Sequence, residues 1–135
     1  MRNGTGFTLT EVLVVIIIIS ILAAVIVPVM HGRIDSAKWS EGKAIMGAIA
    51  RGLRAHVSEE GVNLSPVPTL EQLGFAAGDM NCTYFSCGES GTGNFSWVIN
   101  SRDPLDFLIT ATAPEGIGSP SQITLDQAGK FTEVP

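Results

Sequence analysis

The sequence predicts an α+β fold, with a long N-terminal helix packed on a small antiparallel β-meander. The first half of that helix is apolar enough to cross a membrane, and the second half is amphipathic. Three observations carry this. Val12 to Val27 is an apolar block of 16 residues broken only by Ser20. Residues 33–60 then show apolar positions at three- and four-residue steps, the helical period. The C-terminal third alternates apolar and polar residues between turn residues, the strand period. At 135 residues the chain is one domain at most, plus an N-terminal segment that cannot count as soluble core.

The N-terminal block is too long for the core of a secretory signal peptide and is not closed by a small-x-small cleavage site. With Phe7–Glu11 and Pro28–Met30 it reaches 24 residues. As a helix that is about 36 Å, enough to span the hydrocarbon of a bilayer with some tilt. Met1 to Gly6 precedes it as a short polar leader containing Arg2. Glu11 stands at the mouth of the span. The helix macrodipole favours a negative charge there, but a carboxylate without a partner is costly beside so much hydrocarbon. Pro28 removes a backbone donor and clashes with the preceding turn, and Gly32 adds weakness four residues on. The pair therefore reads as a kink or a locally loosened stretch, or more simply as the end of the span.

Over residues 33–60 the apolar row is Ile34, Ala37, Ala44/Ile45, Ala48/Ile49, Gly52/Leu53 and His56/Val57, with Glu41 as its single polar break. Gly42, Gly47 and Gly52 each lower helix propensity by up to about 1 kcal/mol relative to alanine. They are tolerable where a missing side chain lets another element approach. His56 reads as a partly buried helix residue. Gly61 is a C-terminal stop.

Asn63 to Pro68 is a connection, and Thr69 to Leu73 reads as a short helix capped by Thr69. Gly74 to Gly93 is loop-rich and holds Cys82 and Cys87. These two pair in an oxidising compartment and remain thiols in a reducing one. A disulfide here closes a loop too small to remove much chain entropy, so its expected role is to stiffen an exposed excursion. Strands are expected at Asn94–Asn100, Asp106–Ala113, Gln122–Asp126 and Lys130–Val134. Asp103-Pro104 supplies one turn, and Asp126-Gln127-Ala128-Gly129 a hairpin with a glycine at positive φ.

The formal net charge of −5 argues against a nucleic-acid footprint over the whole surface. There is no nucleophile motif or phosphate loop, and Ser90-Gly91-Thr92-Gly93 lacks a following helix and reads as a loop. His31 and His56 lie far from the cysteines, which leaves a zinc-type site unsupported. Asp79, Asp103 and Asp106 are carboxylates of the kind that bind calcium, but no spacing pattern supports a site. No enzymatic activity, cofactor or metal is expected.

The string Gly6-Phe7-Thr8-Leu9-Thr10-Glu11, followed by an Ile/Val/Leu/Ala run to Val27 and Pro28, resembles the N-terminus of type IV pilins and type II secretion pseudopilins. The motif covers about the first quarter of the chain. The resemblance implies a pilin-like fold, divided into a cleaved leader (1–6), a transmembrane and assembly helix (7–30), an amphipathic helix (31–60) and a cysteine loop with a sheet (61–135). It implies that a prepilin peptidase and methyltransferase cuts after Gly6 and N-methylates Phe7. The new amine of Phe7 would be largely protonated at neutral pH. The Glu11 carboxylate of a neighbouring copy would then pair with it, and a slipped neighbour would leave both charges unpaired in a weakly screened setting.

The expected partners are further copies of the chain, the peptidase, an inner-membrane assembly platform and the lipid bilayer before assembly. The expected location is the bacterial inner membrane, single-pass with the C-terminal part outside the cytoplasm, and then a filament. The cysteine loop, as a surface decoration, favours a pilus subunit. The major pseudopilin of a type II secretion system is the alternative. A further alternative is a non-polymerising signal-anchored periplasmic binding domain, in which Glu11 is merely an interfacial residue.

Overall fold

The structure, a computed structural model, describes residues 6–60, 67–76, 79–80 and 82–135. One helix, α1 (Leu9–Glu60), is followed by four strands, β1 (Phe95–Arg102), β2 (Leu105–Thr112), β3 (Gln122–Asp126) and β4 (Phe131–Val134). The strands pair antiparallel in the order β1-β2-β3-β4. The α+β helix-and-meander architecture is therefore the one expected, and each strand lies within two residues of its expected bounds. Met1 to Thr5, the Gly61 stop and residues 63–66 of the connection lie outside the described residues. The chain divides into two compact units, one ending at Ile34 and the other running from Asp35 to Pro135.

In the first unit α1 is helical without interruption through Pro28 and Gly32. Any loosening there is a proposal about another state of the helix. The apolar side chains of this stretch have no cover. Ser20, the polar break, is satisfied internally, its hydroxyl donating to the Ile16 carbonyl at 2.7 Å.

In the second unit, the part of α1 from Asp35 onward packs on one face of the sheet. The strands present Phe95, Trp97 and Ile99, then Phe107, Ile109 and Ala111, then Ile123 and Leu125, all buried. The helix contributes Trp39, Met46, Ile49, Ala50, Leu53 and His56. Ile49, Leu53 and His56 were in the expected row. Ile34, Ala37 and Ala44 were too, but they are exposed. Small apolar residues lie nearly all round this helix, so their spacing alone does not single out one face. The sheet selects the face with the most volume to bury, which is the one holding Trp39 and Met46.

Of the three glycines in α1 after Asp35, two have a packing reason. A Cβ on Gly42 would lie 2.8 Å from Phe85 Cζ, and one on Gly52 would lie 2.9 Å from the Leu73 carbonyl oxygen. On Gly47 it would meet only Arg51 Nη1 at 3.9 Å. The expected helix at Thr69–Leu73 is a single helical turn instead. Thr69 and Gln72 cap it reciprocally, and Gly74 ends it at φ 84° before a second turn can form. Trp97 Nε1 donates to the Pro68 carbonyl at 2.9 Å, tying this connection to the core. The outer edge of β1 is sealed by Ser90, whose hydroxyl accepts from Trp97 N–H and donates to Trp97 O. Gly129 turns the β3–β4 hairpin at φ 83°, as its sequence indicates.

Candidate functional site

The N-terminal stretch is built outward from Gly6. A Cβ placed on Gly6 would meet nothing within 4 Å. Packing within the chain therefore does not require glycine there. Phe7 follows with its ring 82% exposed, and α1 begins at Leu9. From Val12 to Ile34 the large apolar side chains are 45–66% exposed. This is one helix long and apolar enough to cross a membrane by length and composition. Solvent-facing hydrocarbon on this scale is far beyond what a soluble monomer carries, and it marks a surface meant for lipid or for other chains.

Glu11 sits in the first turn of α1. Its Oε2 accepts from Thr8 N–H and from the Thr8 hydroxyl, both at 2.8 Å, while Glu11 N–H donates back to Thr8 Oγ1 at 3.3 Å. This is a capping box, with each residue satisfying a backbone donor of the other. Thr8-x-x-Glu11 is itself the sequence signature of such a box. The carboxylate of a single chain is thus held locally, with its head at the very start of the helix.

The second candidate feature lies in the other unit. Cys82 and Cys87 form a disulfide with Cα atoms 6.0 Å apart. The loop they close is only partly the exposed excursion expected from its length. Thr83 and Tyr84 are exposed, but Phe85 is buried beneath them against Trp39 and Phe95. Glu41, the polar break in the helical row, accepts from the Thr83 and Tyr84 N–H groups at 2.6 and 3.2 Å. Sequence could flag Glu41 as out of place but could not supply partners more than 40 residues away.

Two of the three aspartates with calcium-type chemistry, Asp79 and Asp106, hold local contacts. Asp79 Oδ2 accepts from Ala76 N–H at 2.8 Å, and Asp106 Oδ2 accepts from Asn100 Nδ2 at 3.3 Å. Among the described residues no group of three His, Cys, Asp or Glu side chains is arranged to hold a metal ion.

Comparison with known proteins finds similarity over part of the chain. The family model described as the prokaryotic N-terminal methylation motif matches residues 1–27. The type II secretion system core protein G of Pseudomonas aeruginosa is 46% identical over 52 residues, which cover 38% of this chain and 37% of that protein. No solved structure matches significantly. Gly6, the exposed Phe7, the capped Glu11 and the uncovered apolar helix as far as Val27 fall inside the matched segment, so residues 1–27 of this chain are a prepilin-type N-terminal methylation motif.

Proposed function

We propose that this chain is a structural subunit of a type IV pilus-like filament. A prepilin peptidase would remove residues 1–6 and N-methylate Phe7. The protein would then rest in the bacterial inner membrane through its apolar helix, with the C-terminal unit outside the cytoplasm, until an assembly platform adds it to the polymer. The observation that carries this reading is the bare apolar helix beginning at a capped Glu11. In the filament the helices of neighbouring copies cover that surface, and the Phe7 amine of one copy meets the Glu11 carboxylate of another. A desolvated, hydrogen-bonded pair of this kind sets register, because a copy displaced along the axis leaves two charges unpaired. Pro28 and Gly32 are where the helix would loosen during packing.

The second reading is the major pseudopilin of a type II secretion system. The likeness to core protein G supports it, and both readings use the same N-terminal machinery. Mass spectrometry of the mature protein tests what they share. The expected product starts at Phe7 and carries one added methyl group, whereas an intact Met1 or a cut near Ala24 would overturn both. Glu11→Ala is expected to leave the protein membrane-bound and abolish filaments seen by electron microscopy. Normal filaments from that variant would refute the charge pairing while leaving the cleavage reading in place. Filaments on the cell surface, as against secretion lost on deletion of the gene, decide between the two roles.

A further inference from the structure

The disulfide loop and α1 are joined more tightly than a surface decoration requires. Thr83 and Tyr84 aim two consecutive backbone N–H groups at one oxygen, Glu41 Oε1. Consecutive amides converge on a single acceptor only where the backbone between them is held curved, and the acceptor here is charged, which strengthens both bonds. The next residue, Phe85, passes its ring into the space left by Gly42, with centroids 5.2 Å from Trp39 and 5.4 Å from Phe95. Ser86 then donates to Asn94 Oδ1 at 2.6 Å, and its carbonyl accepts from Asn94 N–H at 2.9 Å. The loop thus has one covalent closure, Cys82–Cys87, and three points of attachment to the fold.

We propose that Cys82, Cys87 and Glu41 form a thiol-controlled latch on α1. Oxidation curves the loop so that its amides seat on Glu41 and Phe85 closes over Gly42. Reduction frees the loop and uncovers the helix from Trp39 to Met46. The chemistry balances as thiol–disulfide exchange. On closing, the two thiols give two electrons and two protons to the disulfide of an oxidoreductase or of a small molecule, forming the Cys82–Cys87 bond and two acceptor thiols. On opening, a dithiol reductant reverses this and leaves as its own disulfide. The C-terminal unit is then fully ordered only after meeting an oxidising compartment, whether or not the chain polymerises.

The test is residue-resolved amide hydrogen exchange on the full chain in detergent micelles, with and without dithiothreitol. In the oxidised protein the Thr83 and Tyr84 amides are protected. Reduction is expected to speed their exchange, and that of residues 39–46, by about tenfold or more, while β2 and β3 amides stay protected. The Cys82→Ser/Cys87→Ser double variant should reproduce the reduced pattern without reductant. Glu41→Ala should release Thr83 and Tyr84 with the disulfide intact. Three results overturn the proposal: unprotected Thr83 and Tyr84 amides in the oxidised protein, protection unchanged by reduction, or loss of protection equally across β2 and β3, which would make the disulfide a general staple.

Discussion

Replacing Gly42 by alanine would set a Cβ 2.8 Å from Phe85 Cζ and 3.1 Å from Cε2, closer than carbon atoms pack. The ring has nowhere simple to go, since it is buried between Trp39 and Phe95 at the end of a disulfide-closed loop. Overpacking of this kind costs about 1–3 kcal/mol. Against it stands the gain of about 1 kcal/mol from replacing glycine inside a helix. Gly47→Ala is the internal control. It lies one and a half turns further along the same helix, has no atom nearer than Arg51 Nη1 at 3.9 Å, and receives the same propensity gain. That gain cancels between the two variants, so their difference isolates the clash. Gly47→Ala is expected to stabilise by about 0.5–1 kcal/mol, and Gly42→Ala to be about 1–3 kcal/mol less stable than Gly47→Ala. Urea unfolding in detergent micelles reads this through tryptophan fluorescence, because Trp39 and Trp97 are both buried in the C-terminal unit. Phe85→Leu, which shortens the obstructing ring, should recover part of the loss in a double-mutant cycle. If Gly42→Ala is as stable as Gly47→Ala, the close approach of Phe85 is not what glycine provides, and the packing argument fails.

Three further perturbations probe other contacts. Trp97→Phe removes the donor to the buried Pro68 carbonyl and should cost about 1–3 kcal/mol from that unpaired oxygen alone, read as a lower urea midpoint. Lys43→Ala breaks the 3.0 Å ion pair with Glu133, but both side chains are well exposed, so stability from urea unfolding should fall by less than about 1 kcal/mol, and the difference from the parent should shrink further as added salt screens the pair. Thr8→Ala dismantles the capping box and should weaken the start of α1 by about 1 kcal/mol, seen as faster amide exchange at Leu9–Val12, while Thr8→Ser preserves it.

The parts of this protein legible in its sequence are those governed by local period and length. The apolar span announces itself by its length, and the four strands by alternation between turns that depend on single residues such as Gly129. The N-terminal motif is legible for a different reason. Its residues act within one turn of each other, so Thr8 and Glu11 are neighbours in sequence as they are in space, and even the capping box was open to reading. Glu41 is the opposite case. Its meaning rests on amides from another part of the chain, and no local pattern carries that information.

Local pattern alone specifies a greasy helix with a carboxylate at its head and a small meander after it. Hydrophobic period, span length and turn chemistry act over a few residues and leave few alternatives. Which face of the helix turns inward, why Gly42 and Gly52 must stay small, and what Glu41 and the disulfide loop hold together emerge from packing between distant segments. Those outcomes follow from volumes and hydrogen-bond partners that meet after the chain has folded back on itself. Several rows of small aliphatic residues compete for the core along this helix, and the sheet accepts the one that lets Trp39, Met46 and Phe85 be buried together.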